Sequence, residues 1–362
     1  MTRLVLLGGG HAHLFVLEAF ARDRPDADIR LITPDALTPY SGMLPGVIAG
    51  HYRHRQACID LRPLAARAGC TLRLDAAVAL DAAHRQLRLS SGEVVDYDLL
   101  SIDTGSTPAI PDVPGALKCG HPVKPVATLL DSWRTAAPPG SLAVIGAGAA
   151  GVEIALALRH RAPNAYCTLV ERSAQILGCL PERLRRKALA ELERQRIDLL
   201  TGARIARLDA HTVQLTDGRT IASDFTVWTT GAAPAHWLRD SGLALDDRGF
   251  AAIRPTLQSL SHPEVFAAGD IATMPDTPRP KSGVYAVRAG PPLAANLLHA
   301  VRGEALQRWQ PQARALMIMA CGRRNAIASR GGLNVQGDWV WRWKDRIDRA
   351  FVRRFDPWAD QD

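Results

Sequence analysis

One short pattern occurs twice in this sequence and limits the fold more than any other feature. Each copy is an apolar run, a glycine-rich turn, a segment with helical spacing of Ala and Leu, and a second apolar run. The first copy occupies 3–7, 8–10, 11–21 and 28–32; the second occupies 142–145, 146–151, a helix to about 161, and 167–170. A β-turn-α-β unit of about thirty residues is half of a dinucleotide-binding domain. The repeat therefore predicts an α/β fold with two Rossmann-like domains, and 362 residues have room for both.

The second glycine-rich turn is complete. Gly146 permits the tight turn, Gly148 lets the backbone approach a pyrophosphate, and Gly151 lets the helix pack on the strand. The helix N-terminus then faces the phosphates. Glu171 ends the next strand, where its carboxylate can hold both ribose hydroxyls and repel a 2′-phosphate. This turn predicts an NAD(H) site with a preference over NADP(H), which the neighbouring Arg172 weakens.

The first turn departs from the pattern. Gly8 and Gly10 occupy the first two glycine positions, but His13 stands where the third glycine belongs. The strand 28–32 does not end in a carboxylate, so Thr33 or Asp35 would have to contact the ribose. Taken alone, this turn is equally consistent with an ordinary buried βα turn.

Features further along the chain favour a flavin nucleotide at the first turn. The strand 265–268 ends in Gly269 and Asp270, and a carboxylate there can accept a hydrogen bond from a flavin ribityl hydroxyl. Two turns at 103–108 and 229–234, containing Gly105 and Gly231, each follow an apolar strand. Both suit a backbone crossing over a dinucleotide between domains.

Shorter alternating runs predict antiparallel sheets. Residues 72–74, 77–80 and 86–89 indicate one meander, and 202–208 with 212–215 indicate another in the second unit.

Taken together, these motifs resemble the pyridine nucleotide–disulfide oxidoreductase superfamily, which binds FAD and NAD(P)H in two such domains. The segments 8–13, 38–46 and 327–333 are similar to one branch, the type II NADH dehydrogenase-like proteins often fused ahead of selenophosphate synthetase. The resemblance implies an FAD domain of 1–112 and 252–308, an NAD(H) domain of 113–251 and a C-terminal segment of 309–362. It also implies an enzyme that passes hydride from NADH to flavin N5 and electrons on to an unidentified second acceptor, which can be a quinone.

The sequence also departs from relatives within that superfamily. Disulfide reductases carry a redox-active Cys pair near 38–46, and none is present here. Cys179 and Cys321 can imitate the separated cysteines of sulfide:quinone oxidoreductases, although two small buried residues are the simpler interpretation. Type II NADH dehydrogenases carry paired glutamines where this chain has Tyr285 and Arg288. Two alternatives therefore stay open: a sulfur- or selenium-species oxidoreductase with a cysteine relay, and a non-catalytic flavoprotein partner of selenophosphate synthetase.

Three residues are further candidates at the flavin. The resemblance aims the predicted helix 284–301, capped by Ser282 or Gly283, at the flavin pyrimidine, where a helix N-terminus favours negative charge. Lys281 would add a full positive charge there, and Lys124 is a second lysine of the same kind. Each is equally consistent with a solvated loop lysine. His11 opens the first helix and is expected to contact FAD phosphates.

The C-terminal tail holds half of the net charge of +8, with six Lys or Arg against two Asp in 339–355. Its expected helix aligns a stripe of large apolar residues, namely Val340, Trp343, Ile347, Phe351 and Phe355, with Trp358 extending it. Such a helix fits either peripheral membrane contact through 339–358 or packing on the flavin domain. Without an accompanying motif, nucleic-acid binding is not expected.

Cysteine usage and the N-terminus favour a cytoplasmic protein. The six cysteines form no CxxC or zinc-type cluster, so neither a disulfide framework nor a metal site is expected. The chain starts with too short an apolar run for a signal peptide. The sequence does not predict an oligomeric state.

Overall fold

Two five-stranded parallel sheets form the centre of the structure, a computed structural model that describes residues 1–178 and 180–360. In spatial order, the strands of the first sheet are Val265–Ala267, Leu99–Ile102, Thr2–Leu7, Ala27–Thr33 and Thr71–Leu74. Those of the second sheet are Gly120–Pro122, Phe225–Trp228, Ser141–Ile145, Tyr166–Val170 and Ile197–Leu200. In each sheet the strand before the glycine-rich turn is central. The predicted α/β fold with two Rossmann-like units is confirmed.

Helices cover the sheets, as the buried apolar strands require. In chain order the α-helices of the described residues are α1 (His11–Arg22), α2 (Leu44–Ile48), α3 (Leu61–Arg67), α4 (Ala116–Cys119), α5 (Val126–Thr135), α6 (Ala149–Arg161), α7 (Glu182–Arg194), α8 (Gly283–Arg302) and α9 (Asp338–Phe355). The helices α1 and α8 pack against each other, and Gly290 of α8 lets the ring of Phe15 approach closely. The predicted helix starts, His11 and Val284, lie within one residue of the observed starts, His11 and Gly283.

Smaller antiparallel sheets extend the two units. They are Leu37–Pro39 with Cys58–Asp60; Ala77–Asp81, Gln86–Leu89 and Val94–Asp96; Ile205–Leu208, Thr212–Leu215 and Thr220–Ala222; Thr107–Pro108 with Ala232–Ala233; and Met317–Ala320, Ala326–Arg330 and Leu333–Gly337. The pair Ala251–Ala252 and Ala272–Thr273 is parallel. The prediction that 72–74 belongs to a meander is wrong, because Thr71–Leu74 pairs parallel with Ala27–Thr33.

The C-terminal helix α9 packs on the first unit, with Val340, Val352 and Phe355 in its hydrophobic core. The predicted apolar stripe is wrong in its middle and at its end, where Trp358 is 60% exposed. Trp343 and Ile347 are 38% and 40% exposed, while Lys344 and Asp348 turn inward as an ion pair. The pair compensates the two buried charges, which lets the helix turn its polar middle toward the protein. Among the described helices, including α9, none has both the length and the apolar character to span a bilayer.

Candidate functional site

The first glycine-rich turn lies directly against the end of the neighbouring strand. Gly8 has φ +96°, and its N–H donates to the carbonyl of Ile32 at 2.8 Å. A Cβ on Gly8 would lie 2.5 Å from the carbonyl oxygen of Asp103, and one on Gly10 would lie 2.3 Å from its Cγ. Both predicted glycines are therefore required by close backbone approach.

Asp103, which the sequence analysis did not single out, lies at the centre of this turn. Its carboxylate accepts the amide N–H groups of Ala12 at 2.7 Å and His13 at 3.0 Å, in the first turn of α1. A Cβ on Gly269 would lie 2.6 Å from its Oδ1. Burial raises the pKa of Asp103 to about 7. Only the register of the sheet brings Asp103 to α1, so no local sequence signal marks it.

His13 replaces the third glycine with a buried ring that has its own hydrogen bonds. Its Nδ1 lies 2.6 Å from the carbonyl of Gly8, and its Nε2 lies 2.8 Å from Oγ of Ser101. Burial lowers the pKa of His13 to about 4, so the imidazole is neutral. The Nδ1–H then donates to Gly8, and the Ser101 hydroxyl donates to Nε2. His13 thus connects the turn to the strand Leu99–Ile102.

Thr33 and Asp35, the candidates for the ribose, occupy different environments. Thr33 is buried beside the first turn, where a Cβ on Gly9 would lie 3.3 Å from its hydroxyl oxygen. Asp35 is exposed, and its carbonyl accepts the Thr33 hydroxyl at 3.3 Å.

The second turn has the geometry expected of an intact fingerprint. Gly146 has φ +105°, and a Cβ on Gly151 would lie 1.8 Å from the carbonyl oxygen of Gly146. A Cβ on Gly148 would meet nothing within 4 Å, which leaves open space at the N-terminus of α6. Glu171 lies beside this space, and its carboxylate accepts the N–H of Ala147 at 2.8 Å. The four predicted residues of the second turn therefore lie together.

The two predicted crossings meet each other. Thr107–Pro108 pairs antiparallel with Ala232–Ala233, so the segments that follow the two parallel sheets form one ribbon. Gly105 has φ +73°, and a Cβ on Gly105 or Gly231 would meet nothing within 4 Å. The ribbon connects the regions of the two glycine-rich turns.

Asp270 and Lys124 come together although they lie 146 positions apart. Nζ of Lys124 donates to Oδ2 of Asp270 at 2.8 Å and to Oγ of Ser106 at 3.1 Å. His11 lies within electrostatic reach of both charges, and burial lowers its pKa to about 4. Its Nε2 is buried and has no hydrogen-bond partner in the described part of the chain. An unsatisfied polar atom at the N-terminus of α1, beside Asp270, fits a polar cofactor there.

Lys281 precedes α8 and is not a solvated loop lysine. Its Nζ donates to the carbonyl of Ala272 at 2.5 Å and to the hydroxyl of Thr273 at 2.7 Å. The ammonium also lies 3.9 Å from the centroid of the Phe250 ring. Burial lowers the pKa of Lys281 to about 8. Lys281 and Tyr285 line one small cavity with Asp270. Ser282 is the N-cap residue of α8 but makes no side-chain cap bond.

The sequence model of the family described as pyridine nucleotide-disulphide oxidoreductase matches residues 2–290. The chain belongs to this family. It is therefore an enzyme, an FAD-dependent NAD(P)H oxidoreductase with FAD and NAD(H) as its cofactors.

Three comparisons show how the chain relates to individual members. It is 25% identical over 325 residues to the NADH dehydrogenase-like protein YutJ of Bacillus subtilis, covering 86% of this chain and 87% of that protein. It is 33% identical over 204 residues to the biphenyl dioxygenase system ferredoxin–NAD(+) reductase component of Paraburkholderia xenovorans, covering 54% and 48%. The structure of the sulfide:quinone oxidoreductase from Aquifex aeolicus aligns with a TM-score of 0.81 at 17% identity, covering 100% and 94%. The last of these shows the shared fold.

Where disulfide reductases of the family carry their Cys pair, this chain contacts its own C-terminal helix. Nζ of Lys344 donates to the carbonyl of Gly42 at 2.5 Å, and Tyr40 stacks on Phe351 with ring centroids 4.5 Å apart. Glu153 is half-buried near Lys344, and loss of solvation raises the pKa of its carboxyl to about 7. The 38–46 loop of this family member is thus held by α9.

Cys321, one of the two cysteines considered for a relay, lies in the hydrophobic core of the second unit. Cys321 is fully buried against α6, and burial raises the pKa of its thiol. A thiol in such a position is poorly reactive, because the thiolate is the nucleophile. Cys179 lies outside the described residues.

Proposed function

We propose that the chain is an NADH:acceptor oxidoreductase that binds FAD at the first glycine-rich turn and NADH at the second. The observation that carries this proposal is the pairing of the two crossing segments, Thr107–Pro108 and Ala232–Ala233, which connects the two turn regions. In the same terms, we assign 1–112 and 252–308 to FAD, 113–251 to NAD(H) and 309–362 to a C-terminal segment. When bound, FAD accepts hydride from NADH and transfers electrons to a second acceptor.

The FAD site that we propose combines backbone and side-chain groups. Gly8, Gly10 and Gly269 let the turn pack closely on Asp103, Gly105 leaves open space for the cofactor, and His11, Thr33, Asp35 and Asp270 supply polar side chains. The unsatisfied Nε2 of His11 supports this assignment. Asp270 is held by Lys124, so a ribityl hydroxyl would meet an oriented carboxylate.

The NADH site that we propose comprises Gly146, Gly148, Gly151, Glu171 and Gly231. Glu171 carries the preference for NADH, because a second negative charge at the 2′ position would lie beside its carboxylate. Open space at Gly148 supports approach of a pyrophosphate to the N-terminus of α6.

Three residues are our candidates for tuning the reaction: Lys281, Tyr285 and Lys124. Lys281 lies at the N-terminus of α8, so its charge and the helix dipole act in the same direction. Both stabilise negative charge in the adjoining cavity. Tyr285 lines that cavity.

The alternatives receive less support. Burial of the Cys321 thiol weighs against a cysteine relay for sulfur or selenium species. Burial of Val340 and Phe355 within the protein weighs against membrane contact through 339–358, because these two side chains of the apolar stripe cannot reach a bilayer. The relation to selenophosphate synthetase stays a prediction, and a quinone is one acceptor that the proposal allows.

An anaerobic titration tests the proposal. The purified protein is expected to show flavin absorbance, to release FAD on denaturation, and to lose its visible band when NADH is added. Asp270→Ala should lower flavin occupancy, because it deletes a charge-assisted hydrogen bond of roughly 1.5–3 kcal/mol. Lys124→Met is the matched variant that leaves the carboxylate in place and should retain more flavin. A colourless protein that FAD does not reconstitute would refute the proposal, and a flavoprotein that NADH cannot bleach would favour the non-catalytic alternative.

A further inference from the structure

The outer side of α9 carries an aromatic and basic surface, which we call the Trp–Arg face. It consists of Trp339, Arg342, Trp343, Arg346 and Ile347, all exposed. The two tryptophans stack with ring centroids 6.5 Å apart and an interplanar angle of 11°. Trp339 is 52% and Trp343 38% exposed, so the stacked pair presents a contiguous aromatic surface to solvent.

The charges of this face are available to a partner. Elsewhere on α9, Arg349 pairs with Asp345 and Arg354 pairs with Glu18. By contrast, Arg342 and Arg346 form no ion pair with any residue that the structure describes. Two uncompensated guanidinium groups beside stacked indoles attract an acidic surface. Trp and Arg are also the residue types that contribute most to binding energy at protein interfaces.

The opposite side of the same helix faces the proposed flavin site. Lys344, the residue next to Trp343, donates to the carbonyl of Gly42 in the 38–46 loop. Tyr40 of this loop packs edge-on against His11, one of the proposed FAD residues, with ring centroids 5.4 Å apart. The diameter of an α-helix with its side chains is about 10–12 Å. A protein docked on Trp343 would therefore be separated from the loop by the thickness of one helix.

We propose that the Trp–Arg face is the docking surface for an acidic one-electron carrier protein, such as a ferredoxin, which serves as the second acceptor. This inference rests on the proposed function. The balance is NADH + 2 carrier(ox) → NAD⁺ + H⁺ + 2 carrier(red). The hydride supplies both electrons, each carrier takes one, and one proton is released.

A membrane surface fits the same face less well. A helix that lies in a bilayer interface buries a continuous apolar face about 5–10 Å deep. In α9 the residues Val340, Trp341, Val352 and Phe355 are buried within the protein. In the described part of the 339–358 segment, the large apolar side chains left exposed are Trp339, Trp343 and Ile347 on α9 and Trp358 beyond its end, which do not form a continuous apolar face.

The test compares three acceptors in NADH-driven reduction by the FAD-loaded protein. They are an acidic Rieske-type [2Fe–2S] ferredoxin, whose potential lies above that of plant-type ferredoxins, the basic cytochrome c, and uncharged menadione. Arg342→Glu/Arg346→Glu should lower the second-order rate constant for the ferredoxin by about ten-fold or more at low salt. The same variant should speed cytochrome c reduction and leave menadione reduction within about two-fold. The difference should shrink at 1 M salt, where the Debye length is about 3 Å.

Two further variants separate charge from packing. Arg88→Glu/Arg239→Glu makes the same charge change at exposed arginines outside α9 and should leave ferredoxin reduction within about two-fold. Trp343→Ala keeps the charge and should slow ferredoxin reduction at every salt concentration, since hot-spot aromatics act mainly on complex lifetime.

Several results would overturn the inference. A wild-type protein that reduces menadione but not the ferredoxin would exclude this acceptor class. An equal loss in the Arg88/Arg239 variant would show an effect of net charge alone. Loss of binding to phosphatidylserine vesicles, with unchanged ferredoxin rates, would identify a membrane as the occupant. A shift in sedimenting mass would identify a second copy of the chain. If NADH reduces no flavin at all, the proposed function fails instead.

Discussion

The two glycine-rich turns have the same backbone conformation, and they differ in which side chain donates a hydrogen bond to the carbonyl of the first glycine. Gly8 donates to Ile32 and Gly146 donates to Val170, both at 2.8 Å, and both glycines have positive φ. In the second turn the hydroxyl of Thr229 donates to the carbonyl of Gly146 at 2.7 Å. The two turns are thus equivalent up to this carbonyl.

In the first turn the position of Thr229 is taken by Asp103, which cannot donate when ionised. Asp103 instead accepts two amides of α1, and His13 donates to the carbonyl of Gly8. The departure from the fingerprint at His13 therefore accompanies a second departure on the neighbouring strand. In this chain the third glycine is therefore one of two ways to join the helix to the turn.

The strongest test of this comparison restores the missing glycine. His13→Gly completes the sequence fingerprint, yet we expect it to destabilise the protein by roughly 3–5 kcal/mol. The change removes a fully buried ring and leaves the Gly8 carbonyl and Ser101 hydroxyl without their partner. Flavin occupancy should fall as well. Urea denaturation followed by circular dichroism measures the effect.

Ser101→Ala is the matched control for the histidine variant, because it removes a single hydrogen bond to Nε2. It should cost only about 1 kcal/mol. A His13→Gly protein as stable as wild type would show that the ring is dispensable and that the two turns do not differ in the way described.

The second test concerns the turn that keeps its third glycine. Gly151→Ala places a methyl group where only 1.8 Å is available to the Gly146 carbonyl, so we expect a loss of about 1–3 kcal/mol. Reduction by NADH should slow while FAD stays bound. Gly148→Ala is the control, since its methyl group meets no protein atom within 4 Å. It should leave stability unchanged and act on nucleotide affinity alone. Equal stability losses in both variants would contradict the steric argument.

Local patterns in the sequence were sufficient to predict the strands on either side of the two glycine-rich turns, the turns themselves and the helix starts, but not the parallel pairing of Thr71–Leu74. Side-chain contacts between distant segments were not predictable, because they depend on the register of the sheet. Asp103 lies 90 positions from His13, and Lys124 lies 146 positions from Asp270. The prediction of a continuous apolar stripe on α9 was wrong for a related reason. Periodicity shows which residues share a face of a helix. It does not show that Lys344 and Asp348 face the protein, where Lys344 donates both to Asp348 and to the carbonyl of the distant Gly42.

The third test uses pH to examine Asp103. Its pKa rises from about 3.8 to about 7 on folding, so between these values the folded protein holds more protons than the unfolded chain. Stability from this group is therefore complete near pH 4 and is lost as pH rises toward 7. Asp103→Asn removes this dependence. Its free energy of unfolding, relative to wild type, should rise with pH by at most about 1.4 kcal/mol per unit.

Other groups that titrate in this pH range do not obscure this difference. The neutral His11 and His13 give the opposite slope between pH 4 and 6.5, and Glu153 gives the same slope as Asp103. All three are present in both proteins, so the part of their contributions that does not depend on the Asp103 charge cancels in the comparison; His13, whose N–H contacts Asp103, is the group most affected by the substitution. A difference that stays flat between pH 4 and 7 would show that Asp103 is ionised throughout and that its role at the first turn is that of a fixed negative charge.

The smallest effect is expected at the ends of the strands that follow the turns, where Glu171 in the second unit corresponds to Thr33 in the first. Glu171→Gln keeps an oxygen that can accept the Ala147 amide but removes the charge that opposes a 2′-phosphate. The ratio of flavin reduction rates with NADH and NADPH should fall several-fold, since two charges a few ångströms apart near a surface interact by a few kcal/mol at most. Stopped-flow reduction at limiting nucleotide measures this ratio.

Arg172→Gln is the matched variant, and it should raise the ratio by removing the neighbouring cation. If wild type already uses both nucleotides equally, the carboxylate of Glu171 serves the turn through its amide contact rather than through nucleotide choice, and the second unit would then resemble the first in this respect.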